Sequence, residues 1–110
     1  MSHDHVLPRH DTHLSDALLE KTAAMFKAVG APDRLRLLEC LREGEACVTG
    51  LAEHLGVNVT TTSNRLQHLA REGLVTRRRE DRHHYYRLAD GHVEKLLDVA
   101  IEHARHTLGG

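Results

Sequence analysis

The spacing of apolar residues changes near Gly73, and that change restricts the chain to few architectures. Before it, apolar side chains recur at three- and four-residue steps; after it come β-prone runs, and then the helical period returns. From Leu14, the positions Leu18, Thr22, Met25, Phe26 and Val29 make one helical stripe that Gly30 ends. Pro32 suits the first turn of a second helix, whose Leu35, Leu38 and Leu41 precede Gly44. A third, short helix runs through Leu51, Ala52 and Leu55 and stops at Gly56. A fourth starts at Asn58 or Thr60, either of which can cap it, and carries Leu66, Leu69 and Ala70 to Gly73. Leu74 to Arg79 and His83 to Leu88 are β-prone runs around Glu80-Asp81-Arg82, the pattern of a hairpin. A last helix follows Asp90, striped by Val93, Leu97, Ala100, Ile101 and Ala104. The expected class is mainly α, in the α+β sense: about five helices and a two-stranded hairpin.

With 110 residues the chain supports one domain with a modest core, so oligomerisation is expected to matter. It has no Trp, one Phe and two Tyr, which leaves Leu, Val and Ala to build that core. Residues 1–13 show no periodicity, include Pro8, and read as a flexible arm bearing His3, His5, His10 and His13; the domain is expected over 14–110. No apolar run approaches the roughly 20 residues needed to span a bilayer. The polar start lacks the apolar stretch of a signal peptide, so a cytoplasmic protein without membrane contact is expected. Cys40 and Cys47 are too few for a disulfide framework.

A net charge of −1 hides an uneven distribution. Between Arg65 and Arg87, seven arginines face only Glu72, Glu80 and Asp81, which suits contact with the phosphates of double-stranded DNA on one face. The turn Gly56-Val57-Asn58-Val59 joins the third and fourth helices, with Ala52 four positions before the glycine. A small residue lets two helices approach and the glycine permits a tight turn, which is a helix-turn-helix pattern. The fourth helix opens Thr60-Thr61-Thr62-Ser63-Asn64-Arg65, short hydrogen-bonding side chains that can reach base edges and phosphates in a major groove. The arginine-rich hairpin, with Arg78 and Arg82, follows where a wing would meet the DNA backbone. Helix-turn-helix then basic hairpin is the order of a winged helix. Thr62 fits poorly, because an apolar residue would pack better there.

Eleven histidines are the second anomaly, and the last helix holds Asp90-x-His92 and His103-x-x-His106. Carboxylate and imidazole suit Zn(II) or similar divalent ions. His92 and His103 lie close to three whole turns apart, on one side of the helix but separated by about 16 Å. One copy of the helix cannot bring all four groups to one ion. Two antiparallel copies related by a two-fold axis can, giving two equivalent sites per homodimer. In a regular helix Asp90 and His92 would diverge by roughly 200°, so Asp90 is expected at the N-cap.

Over residues ~14 to ~108 the chain resembles the ArsR/SmtB family of metal-sensing repressors. The segments that carry the resemblance are Ala31-Pro32-Asp33-Arg34-Leu35-Arg36-Leu37-Leu38, the lead Glu45-Ala46-Cys47-Val48, the wing Arg82-His83-His84-Tyr85-Tyr86-Arg87-Leu88, and the Asp-x-His-x10-His-x2-His pattern. The last matches the subgroup that senses Zn or Co, or Ni or Co, through its C-terminal helix. The resemblance implies a homodimer built on the first and last helices, which binds operator DNA without metal and releases it when metal binds, commonly to express an efflux pump. It implies Asp90, His92, His103 and His106 as metal ligands. It implies DNA contacts at Val48, Thr60, Ser63 and Asn64, to which the helix and hairpin pattern adds Thr61, Arg65, Arg78 and Arg82. Asn64 is often His in relatives and Val59 often polar. Cys47 matches the first thiol of a second family site, but Thr49 and Gly50 stand where its further ligands would be, so that site is expected to be absent.

A ligating histidine usually donates its other N–H to an outer acceptor. In relatives this relay runs toward the end of the recognition helix, here from His103 to the backbone near Gly73. Four ligands suit tetrahedral Zn(II) or Co(II), and zinc is the expected ion; His3 and His5 could instead complete an octahedral Ni(II) or Co(II) site. A regulator answering thiol oxidants through Cys40 and Cys47 is a separate alternative. An enzyme is not expected, since no His-Glu-x-x-His motif or nucleophile with a base is present and four protein ligands leave no open metal position. No small organic substrate is implied.

Overall fold

The computed structural model describes residues 14–109; the N-terminal arm and its histidines lie outside them. The elements run α1 (Asp16–Val29), α2 (Pro32–Leu41), β1 (Ala46–Cys47), α3 (Val48–Leu55), α4 (Val59–Arg71), β2 (Val75–Glu80), β3 (His83–Leu88) and α5 (Gly91–Thr107). Local chemistry sets most boundaries. Ser15 starts α1 by accepting the Leu18 N–H at 3.1 Å, and Pro32 opens α2. Asn58 is the cap of α4, its side chain accepting the Thr61 N–H at 2.8 Å, which decides between the two candidate starts. α3 begins earlier than its leucines suggest, because Cys47 caps it. Gly56 ends α3 at φ +68°, in the left-handed region that glycine enters without strain.

The hairpin is part of a three-stranded antiparallel sheet, not a two-stranded one, with order β1-β3-β2. β2 and β3 pair from Val75 opposite Leu88 to Glu80 opposite His83. β1 sets Ala46 against Tyr86 and Cys47 against Tyr85. A two-residue strand has no periodicity to read; only its pairing with β3 defines it.

The core is leucine-rich, as the composition required. Leu37, Leu38, Leu66, Leu69, Leu74 and Leu97 are buried around Tyr86. Thr62 sits among them at 1% exposure, and its Oγ1 donates to the Asn58 carbonyl at 3.0 Å. That bond satisfies the hydroxyl, so the apparent misfit packs without an orphaned polar group. The Asn58 carbonyl also accepts the Thr62 N–H at 3.1 Å. Leu66→Ala should therefore cost about 2–5 kcal/mol, the range for a buried leucine. Thr62→Val, which leaves that carbonyl bonded, should change stability by less than about 1 kcal/mol. Urea unfolding at one fixed protein concentration checks both.

Candidate DNA interface and metal-donor helix

α3 and α4 meet through the Gly56 turn, and the Val57 N–H closes it on the Ala52 carbonyl at 3.0 Å. The exposed start of α4 and the hairpin tip lie on the same side. Val59 and Ser63 of α4, Cys47, Val48 and Thr49 at the start of α3, and Arg82, His83 and His84 around the hairpin tip line one cavity of about 160 Å³. A backbone or base edge brought there would meet hydroxyls and a guanidinium together.

The candidate DNA contacts do not share one environment. Thr60 and Asn64 are exposed, while Thr61 and Ser63 are half-buried. Ser63 Oγ accepts from Gln67 Nε2 at 3.0 Å. Arg82 is exposed and has no ion pair among the described residues. Val48 is 7% exposed and packs on the core, while also lining the cavity between α3, α4 and the hairpin. Arg65 Nε lies 2.8 Å from Asp33 Oδ2, which ties α4 to the start of α2. Arg78 is likewise engaged, by Glu45. Neither carboxylate partner could be assigned from the sequence, because each is some thirty residues away along the chain.

On α5 the donors occupy two ends. Asp90 stands at the N-cap, where its Oδ1 accepts the N–H groups of His92 at 2.9 Å and Val93 at 3.1 Å. Those bonds, the Val93 N–H first, hold its carboxyl below the usual carboxylate range, so it is present as an anion. His92 Nδ1 is 3.6 Å from the same oxygen, with the imidazole 95% exposed. His103 and His106 line an open groove with Val99 and Glu102. His92, Val99 and His106 recur every seven residues, a step that returns to within about 20° of the same helix face. Val99, midway between the donor pairs, is 67% exposed. Among the described residues of one chain, no three His, Cys, Asp or Glu side chains gather into a group that could hold a metal. No hydrogen bond among them joins His103 to Gly73, whose N–H donates to the Ala70 carbonyl at 3.0 Å.

The two thiols differ. Cys47 Sγ accepts the Gly50 N–H at 3.4 Å and lies 3.4 Å from the Thr49 hydroxyl. These contacts, the Thr49 hydroxyl first, lower its pKa. Burial, followed by Glu43 and Glu39, raises that of Cys40.

Residues 31–77 match the family model for bacterial regulatory proteins of the arsR family. The HTH-type transcriptional regulator NmtR of Mycobacterium tuberculosis is 38% identical over 98 residues, covering 89% of this chain and 82% of that protein. The chain belongs to the arsR family. A transcriptional repressor SmtB homolog from Synechocystis is 36% identical over 88 residues, covering 80% of this chain and 67% of that protein. The solution structure of the homodimeric winged helix-turn-helix DNA-binding domain of Mb0332 from Mycobacterium bovis superposes with a TM-score of 0.79 at 36% identity, covering 91% of each chain. The arsR-family chain is thus a winged helix-turn-helix transcriptional regulator and not an enzyme. Among the described residues, no helix is long and apolar enough to cross a membrane.

Thiolate is the reacting form of cysteine, so the lowered pKa of Cys47 predicts that it alkylates before Cys40 near neutral pH. Mass spectrometry of partly alkylated protein checks the order; equal rates would contradict it.

Proposed function

We propose that this arsR-family chain is a metal-responsive repressor whose homodimer binds operator DNA in the metal-free form and releases it when Zn(II) or Co(II) occupies two sites shared between paired α5 helices. The observation that carries this is the division of donors on α5: Asp90 and His92 at one end, His103 and His106 at the other, with no three-donor group within one chain among the described residues. Their chemistry fits a divalent ion, with three neutral-capable imidazoles and an anionic carboxylate that keeps Oδ2 free of the cap bonds.

The pairing has support in uncovered apolar surface. Leu14, Leu18, Leu19 and Phe26 on and just before α1 are each about half exposed, between 48% and 59%, and Val99 and Leu108 on and just after α5 more so. A relative of similar fold is described as homodimeric. Antiparallel α5 helices meeting at Val99 would set Asp90 and His92 of one protomer against His103 and His106 of its partner.

A bound ion supplies a cross-link between the two helices. α5 is attached to its own protomer by buried Val93 and Leu97 and by an ion pair from Asp98 to Arg42 at the end of α2. A fixed α5 crossing therefore turns each protomer as a body and changes the distance between the two α4 helices, which must match successive major grooves. The His103 relay toward Gly73 would add a direct link to the end of α4, and there Lys21 of α1 pairs with Glu72 at 3.4 Å. Coupling of about 1–3 kcal/mol, or roughly 5- to 150-fold in DNA affinity, is the ordinary scale for such linkage.

Complementation tests the shared site. His92→Ala and His103→Ala homodimers should each lack normal metal binding, while a mixed dimer should regain one intact site out of two. Failure of mixing to restore metal binding would overturn the shared arrangement. Cobalt spectra separate the metals: intense visible bands that survive removal of residues 1–13 support four-coordination, and weak bands that disappear with that segment support six-coordination through His3 and His5. His103→Gln should abolish metal-induced DNA release more fully than metal affinity; equal losses in metal titration and fluorescence anisotropy would count against the relay.

A further inference from the structure

Arg78 lies on β2 of the wing, where a basic side chain is placed to meet phosphate, yet its guanidinium is already engaged. Nε lies 3.0 and 2.9 Å from the two carboxylate oxygens of Glu45, and Nη2 lies 2.7 Å from Oε1. Nη1 reaches Glu80 at 3.4 Å. The guanidinium carbon stands 4.5 Å from the centre of the Tyr85 ring.

The sheet register shows what these contacts connect. Arg78 is opposite Tyr85, and Tyr85 is opposite Cys47. The side chain therefore reaches from β2, across β3, to the residue that leads into β1. Cys47 is also the cap of α3, so Glu45, the far end of this contact, stands two residues before the start of the helix-turn-helix.

A half-exposed ion pair on its own contributes little. This one has a bidentate fork, a second carboxylate and an aromatic face, each of which adds to the hold on the guanidinium. A phosphate contact would require breaking that fork and leaving Glu45 beside the DNA as an unpaired anion. Arg82, at the tip, has no ion pair to give up among the described residues.

We propose that Arg78 is a positioning residue for DNA binding: with Glu45 and Tyr85 it fixes the wing against the start of α3, and the phosphate contact belongs to Arg82. The inference rests on the hairpin acting as a DNA-contacting wing. The test compares Arg78→Gln, Glu45→Gln, their double variant and Arg82→Gln. The probe is a duplex that the unsubstituted protein selects from a random library, and binding is measured by anisotropy over a range of salt.

Arg82→Gln should flatten the dependence of log K on log salt by about 0.9 for each phosphate that is no longer neutralised. Glu45→Gln and Arg78→Gln should each weaken binding while leaving that slope unchanged. The double variant should bind no more weakly than either single one, as coupled partners do. A flatter slope for Arg78→Gln, tighter binding by Glu45→Gln, or additive losses would overturn the assignment. If the unsubstituted protein selects no duplex, the DNA-contacting role of the wing fails first and the inference with it.

Discussion

Leu66 and Leu69, on the inner face of α4, are fully buried, and the other elements are arranged by how they cover them. α1, α2, α3 and β2 all pack on α4, while β3 carries Tyr86 into the same core and holds α5 at the far side. One row of side chains thus fixes the helix whose outer face bears Thr60 and Asn64. The same economy leaves a deficit. The lone Phe is 59% exposed, and α1 and α5 keep apolar side chains in water, so the core ends before the molecule does. Burial of that remaining surface favours association, and it lies mostly on α1, with Val99 on α5, the helix that bears the candidate metal donors.

Much of this was legible in the chain. Glycines and caps punctuate the helices because they satisfy or release specific backbone groups, and those signals are local. Asp90 at the N-cap follows from its angular relation to His92, again a local fact. The signals that failed are nonlocal. β1 exists only through its pairing with β3. The burial of Val48 likewise depends on elements distant in sequence that close over the start of α3. Thr62 is the local exception: its hydroxyl bonds to the Asn58 carbonyl one helical turn back, which the apolar period does not register. Arg65 and Arg78 contribute to a basic stretch in the sequence, but they pair with Asp33 and Glu45, some thirty residues earlier in the chain.

That last difference changes how the electrostatics are understood. Seven arginines between Arg65 and Arg87 suggest a broad cationic surface, but the structure separates them into internal struts and free charge. Arg79 is also partly engaged, its Nε donating to the Asp81 carbonyl at 3.1 Å in the hairpin turn. Among the described residues Arg71, Arg77, Arg82 and Arg87 are exposed and without an ion pair, so fewer of the seven charges are open to a nucleic acid than composition implies.

The sheet register carries one further implication. Tyr86 is 2% exposed, paired to Ala46 on one side and Arg77 on the other. A shift of one residue between β2 and β3 would alter the inward and outward alternation of the strands, and β1 resists it from the second edge. At the base, the Ala89 N–H donates to the Leu74 carbonyl at 3.0 Å and clamps the two strands where they leave the core. The pairing and the clamp therefore hold the ribbon in one register against the core. If such a ribbon meets a groove as one unit, a duplex of ill-fitting width would have to deform around it, and the bendability of a sequence would enter its affinity.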